Sequence, residues 1–184
     1  MAIYLYIYIF IKRKHMAKVQ KSFLILAEDT LSAVTVETLI DMGDNKVYMV
    51  DAGSYQNISS MIRTYQITCP GEFDYIAVFN ANSDDEVERE EKIAMVKNLS
   101  YAEKSPENIG IFCFRNNIET ELHLPQLNDS NISEITDCLK RNAEEMKQSP
   151  TIIEIQKFVD TIIKKKQIKH ETDMEGQTEI ENRA

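Results

Sequence analysis

From Ser22 onward, short continuous apolar runs alternate with segments whose apolar residues recur at helical spacing. Phe23-Leu24-Ile25-Leu26 reads as a buried strand that stops at Ala27-Glu28-Asp29. A helix is predicted from Thr30 to Asp41, with Leu31, Val34, Thr35 and Leu39 on one face. Asp29 or Thr30 would be its N-cap, and Gly43 lies just past its end. Val47 to Asp51 reads as a second strand closed by Ala52-Gly53-Ser54, after which Ile58, Met61, Ile62 and Tyr65 mark a second helix. Pro70-Gly71 breaks the chain before a third strand, Tyr75 to Phe79. The acidic stretch from Asp84 then leads into a helix carrying Ile93, Val96 and Leu99, and Ile109 to Phe114 forms a fourth strand.

Strands and helices in this rhythm predict βαβ units: an α/β, Rossmann-like sheet of about four parallel strands with helices on both faces. Right-handed crossovers place the C-terminal end of every strand on one edge, where open α/β sheets hold their ligands. Beyond His123-Leu124-Pro125 the pattern turns helical. One helix is predicted over 131–146 on Ile132, Ile135, Leu139 and Met146, and another starts at Ser149-Pro150, with serine as cap and proline in the first turn. The last helix carries Ile152, Ile155, Val159, Ile162 and Ile163 on one stripe and ends in Lys164-Lys165-Lys166, a charge that suits a helix C-terminus. Such a stripe docks on its own domain or, as the alternative, serves a protein partner or self-association through helix 151–166. The expected organisation is an extension over 1–19, an α/β domain over 20–126, a helical C-terminal extension over 127–168 and a disordered tail over 169–184.

Composition narrows the partners. The formal net charge of -9 disfavours nucleic-acid binding through bulk electrostatics, which needs clustered Lys and Arg; a local basic patch stays open. The three cysteines, Cys69, Cys113 and Cys138, are far apart and form no C-x-x-C pair, which suggests neither a disulfide framework nor a zinc site and points to a cytoplasmic setting. Residues 3–11 are apolar, yet too short for the roughly 20 residues of a spanning helix. Lys12, Arg13 and Lys14 follow this run, whereas a secretory signal puts its charge in front. Because Met16 opens a second plausible start, residues 1–15 read as an upstream start artefact or a floppy extension, with a short membrane-associating segment as the alternative; no membrane span is expected.

The sheet's C-terminal edge should collect Glu28, Gly53-Ser54, Asn80-x-Asn82 with Asp84 and Asp85, and the stretch from Arg115 to Glu121. No G-x-G-x-x-G, G-x-x-x-x-G-K-[ST] or G-x-S-x-G is present, and Cys113 sits in an apolar run where a small core residue is the simplest reading. ILAED before a helix, VDAGSYQNISSMI, a strand ending in Asn-x-Asn, and IGIFCFRNNIETELHL together resemble the topoisomerase-primase (TOPRIM) fold over roughly residues 20–125. The pattern is most similar to stand-alone TOPRIM-like proteins and to the TOPRIM part of the overcoming-lysogenization-defect nucleases.

That resemblance implies a magnesium site in which Glu28 matches a strand-end glutamate, Gly53 a turn glycine, Asn80 and Asn82 paired aspartates, and Glu119 or Glu121 a last acid. Two asparagines keep an oxygen at each place but remove two negative charges, so magnesium should bind weakly. Asp29 stands where the family has glycine, which would alter the turn. Asp84 and Asp85 are either the first turn of a helix or relocated metal ligands. Gly53, Ser54 and Arg115, with Tyr55 and Arg63, are candidates for contact with a phosphate, and a nucleic acid would lie along the same edge. Two functions follow as expectations: a degenerate, non-catalytic or weakly active binding or regulatory module, or a magnesium-dependent nuclease or related phosphotransfer enzyme in which Glu28, Asp84 or Asp85, and Glu121 supply the charge and Asn80 and Asn82 act as neutral ligands.

Overall fold

The computed structural model describes residues 22–100, 106–124 and 132–181, with side chains as far as Ile168. Four strands, β1 (Ser22–Ala27), β2 (Val47–Asp51), β3 (Phe73–Asn80) and β4 (Ile109–Phe114), form one parallel sheet in the order β2-β1-β3-β4. β1 and β3 are buried along their whole length, as near-continuous apolar strands in the middle of a covered parallel sheet should be. The helices are α1 (Thr30–Leu39), α2 (Tyr55–Thr68), α3 (Glu86–Ser100), the short α4 (Ile118–Glu121), α5 (Ile132–Arg141), α6 (Ala143–Met146) and α7 (Pro150–Glu181). The parallel Rossmann-like sheet anticipated from the apolar pattern is present.

Alternate residues of the central strands feed two cores. Phe23, Ile25, Ile76, Val78, Phe112 and Phe114 pack under α1, α5 and α7. On the opposite face Leu24, Leu26, Tyr75, Ala77 and Phe79 pack against Ile58 and Ile62 of α2 and Val96 of α3. The apolar stripe of α7 is spent on the first core: Ile152, Ile155, Val159 and Ile162 are all buried and Ile163 packs at the margin. Those residues dock the helix on its own domain and are not presented to a partner.

Four expectations need correction. Leu99 was expected on the buried face of its helix; it is 51 % exposed, and Val96 and Ser100 turn inward in its place. The single helix expected over 131–146 is divided at Asn142, whose side-chain amide donates to the Cys138 carbonyl at 3.0 Å, and Ile132 lies outside the core. That local bond offers the backbone an alternative to the helical ladder. Asp29 has φ -147, extended backbone open to any residue, so replacing a glycine there carries no conformational penalty. Finally, α7 continues to Glu181 where an aperiodic tail was expected from 169. Residues 170–181 contain a single glycine and no proline, and residues such as Glu, Gln and Met favour helix without any apolar stripe. The readings on residues 1–19 and on residues 182–184 lie outside the described residues. Among the described residues no helix is long and apolar enough to cross a membrane.

Candidate functional site at the C-terminal rim of the sheet

Parallel register brings the strand ends level, with Ala27 beside both Asp51 and Val78, and Asn80 beside Phe114. The residues just beyond these ends form the rim. Glu28 and Asn80 meet directly: the Asn80 backbone N–H donates to Glu28 Oε2 at 2.9 Å. Asn80 is only 6 % exposed, and both ends of its carboxamide are engaged. Nδ2 donates to Asp29 Oδ2 at 3.2 Å, and Oδ1 accepts from the Ile118 N–H at 2.9 Å. Asp29 in turn accepts from the Ser32 N–H at 2.7 Å through Oδ1, capping α1, while Ile118 opens α4. One buried amide thus ties β3 to the starts of two helices, through a donor and an acceptor at once. A carboxylate could not make both bonds.

The other predicted residues fall into distinct places. Asn82 and Asn116 sit on neighbouring loops in left-handed backbone (φ 53 and 52), a conformation that asparagine tolerates better than most residues. The loops are laced by Asn82 N–H to the Asn116 carbonyl and Asn116 N–H to the Ser83 carbonyl. The side chain of Asn82 is therefore exposed at the rim, two residues from the buried Asn80. Asp85 caps α3, its Oδ1 accepting from the Val87 N–H at 2.8 Å, and Asp84 is exposed beside it. This is the helix-start reading of that acidic pair. Gly53 has φ 70 with open space where a Cβ would lie, held by its N–H donating to Asp51 Oδ1 at 2.8 Å. Ser54 is the N-cap of α2 but makes no side-chain cap bond, and Arg115 is exposed on the loop after β4. Arg63 lies in the third turn of α2, away from its start.

Glu121 engages a different set of partners from Glu28 and Asn80. Its Oε2 accepts from the Arg115 N–H at 2.7 Å and from Thr151 Oγ1 at 3.2 Å; its Oε1 accepts from Ser149 Oγ and from the Thr151 N–H at 3.2 Å. The carboxylate caps the N-terminus of α7, where the helix dipole favours negative charge. Thr151 Oγ1 also reaches the Cys113 carbonyl at 3.5 Å, tying the cap to β4. A depression of about 300 Å³ lies alongside, lined by His123, Glu145, Gln148 and Ser149.

Two cations at the rim escaped the sequence reading. Arg89 Nε donates to the Cys113 carbonyl at 3.1 Å, and Lys92 Nζ donates to the Ala81 carbonyl while sitting 5.5 Å from the centre of the Tyr55 ring. Tyr55 stacks on Phe79. The available signal was positional: two basic residues three apart on a helix whose first turns are otherwise acidic, one turn from the buried Val96. Both act on Cys113, whose thiol is pushed up to about 12 by burial against the opposing pull of Arg89 and Lys92. It is a core thiol with no nucleophilic character near neutral pH.

Among the described residues no group of three or more His, Cys, Asp or Glu side chains converges as a metal-holding set. No protein-family model, curated protein or solved structure matches the chain.

Proposed function

We propose that this chain is a TOPRIM-like module with a degenerate site, acting by binding or regulation and not by metal-dependent phosphotransfer. The observation that carries this reading is the Asn80 carboxamide, which donates to Asp29 and accepts from Ile118 while buried. A position retained for metal ligation would favour a carboxylate, because charge is the main source of affinity for a dication. At this rim the amide is an internal cross-link instead. Glu28, Asp29 and Glu121 likewise each accept backbone N–H bonds, which supports a structural use of the acids. The ligand side of the module is the outer rim. Ser54 at the start of α2, the open space above Gly53, and exposed Arg115 supply the groups that a phosphate of a nucleic acid would need.

The test is a magnesium titration followed by calorimetry, together with a cleavage assay on single- and double-stranded DNA and RNA. Millimolar or weaker magnesium affinity and no cleavage are expected, with oligonucleotide binding weakened by Arg115→Ala. Tight magnesium binding, or robust metal-dependent cleavage abolished by Glu28→Gln, would establish the alternative, a working nuclease. The observation on that side is that Glu28 is only half-buried and engages a single N–H, through one of its two oxygens, among the described residues.

A further inference from the structure

At the end of the sheet opposite the rim, three side chains from distant parts of the chain converge. Lys166 Nζ on α7 lies 2.9 Å from Asp74 Oδ2 and 3.1 Å from Asn45 Oδ1, and 4.5 Å from the centre of the Phe23 ring. Asp74 is 2 % exposed and the Lys166 side chain 24 %. Asn45 is held from its other side, since Nδ2 donates to the Met42 carbonyl at 2.7 Å; the carbonyl end of the carboxamide is therefore the end that faces the amine. Lys166 is positioned by the turn that precedes it, where Ile162 and Ile163 pack in or against the core and Lys165 pairs with Glu107 at 3.2 Å.

An amine that touches both a carboxamide and a buried carboxyl group, against an aromatic ring, is a nucleophile placed beside an acyl donor and a proton carrier. We propose that Lys166 and Asn45 become joined by an isopeptide bond, with Asp74 carrying the protons. Lys166 passes one ammonium proton to Asp74 across the 2.9 Å contact, and the free amine attacks Asn45 Cγ. A C–N bond forms to Nζ, and the excess proton on Nζ moves to Nδ2, which is bonded to the same carbon. The Cγ–Nδ2 bond then breaks. Ammonia leaves, takes the remaining proton from Asp74 and departs as ammonium, so Asp74 returns to its carboxylate and nothing is oxidised or reduced. Such a reaction is slow between free molecules and is favoured where a folded chain holds the amine against the carboxamide. Lys164 and Lys165 on the same helix are exposed and face no carboxamide–carboxyl pair, so the reaction selects Lys166.

High-resolution mass spectrometry and peptide mapping of the purified full chain test the proposal. The expected result is a mass lower than the sequence requires by about 17 Da, the mass of ammonia, and a branched peptide joining Lys166 to Asn45. Lys166→Arg keeps the cation beside Asp74 but offers no free amine to be acylated, and should restore the full mass in a folded protein. Asn45→Ala removes only a half-buried loop amide and should do the same, and Asp74→Asn should slow or abolish the loss. A full-mass chain with Lys166 open to trypsin overturns the proposal. So does a mass loss that survives Asn45→Ala, or a loss of about 18 Da with the bond at Asp74, which would make the carboxyl group the acyl donor.

Discussion

Asn80→Asp restores the charge that the TOPRIM resemblance leads one to expect, and here it should damage the protein. The change removes the Nδ2 donor and sets a second carboxylate 3.2 Å from Asp29 Oδ2, at a position only 6 % exposed. Two like charges at that distance repel by about 5 kcal/mol at an effective dielectric near 20. The donor lost to a charged acceptor adds about 1.5 kcal/mol. Because Asp29 is only half-buried, rotation toward water relieves part of this, and a net loss of about 3 kcal/mol is expected, or roughly 6–12 °C in Tm for a chain of this size. The sign of the pH dependence follows. The introduced carboxyl ionises near about 4 in the unfolded chain and at a higher pH in the fold, so the folded state holds its proton longer. The deficit grows as pH rises from about 4 and is absent below it. Urea denaturation at pH 7 and at pH 3.5, each with and without 10 mM magnesium, reads all of this. A variant as stable as the parent at pH 7 without divalent ions would refute the assignment of Asn80 as an obligatory donor. Full recovery with magnesium would show that the rim is a metal site lacking only its charge.

Four further outcomes are expected. Glu121→Ala takes the acceptor from the Arg115 and Thr151 N–H groups and from the Ser149 hydroxyl, leaving Thr151 Oγ1 only the Cys113 carbonyl, and should cost about 2–4 kcal/mol in chemical denaturation, with Glu121→Gln recovering about half. Gly110→Ala would place a Cβ 2.8 Å from Phe112 Cζ and 2.9 Å from Phe158 Cδ1; overpacking of this kind should destabilise by about 1–3 kcal/mol, and an unchanged denaturation midpoint would mean the aromatic pair moves freely. At pH 8 a small alkylating reagent should modify half-buried Cys69 and spare Cys113 until denaturant is added, as read by peptide mapping. Above pH 9, where an ordinary thiol ionises, the unfolded chain gives up a proton that folded Cys113 retains up to about 12, and burial pushes the Tyr75 phenol up in the same sense, so stability should fall across that window.

The sheet was legible because its signal is local. Val47 to Asp51 and Ile109 to Phe114 are bounded in the structure as their apolar runs suggest, and β3 begins two residues early at Phe73 and ends one late at Asn80. That Glu28 and Asn80 share one rim followed from the parallel topology, which puts all strand C-termini on one edge; that they touch depends on β1 and β3 being neighbours. What Asn80 does there was hidden, because its partners Asp29 and Ile118 lie 51 and 38 residues away and periodicity says nothing about which polar groups face each other across a rim. Glu121 misled for a related reason. A strand-following acid looks the same in sequence whether it faces a metal or the start of a helix 30 residues downstream. Asp74 sits inside an apolar run and Lys166 in a basic cluster, and neither pattern announces that one neutralises the other.

The attachment of α7 bears on how the chain can be made. Its first turn is held by Glu121 at the rim and its middle by Asp74 at the far end, so the helix runs back across the whole sheet, opposite to the strands. A ribosome therefore releases all four strands, with Phe23, Ile76 and Phe112 along one side, well before the segment that shelters them exists. Nascent chains halted near residue 126 should be sticky and in need of a chaperone, and a gene fragment ending there should yield inclusion bodies where one reaching past Lys166 yields protein that stays in solution.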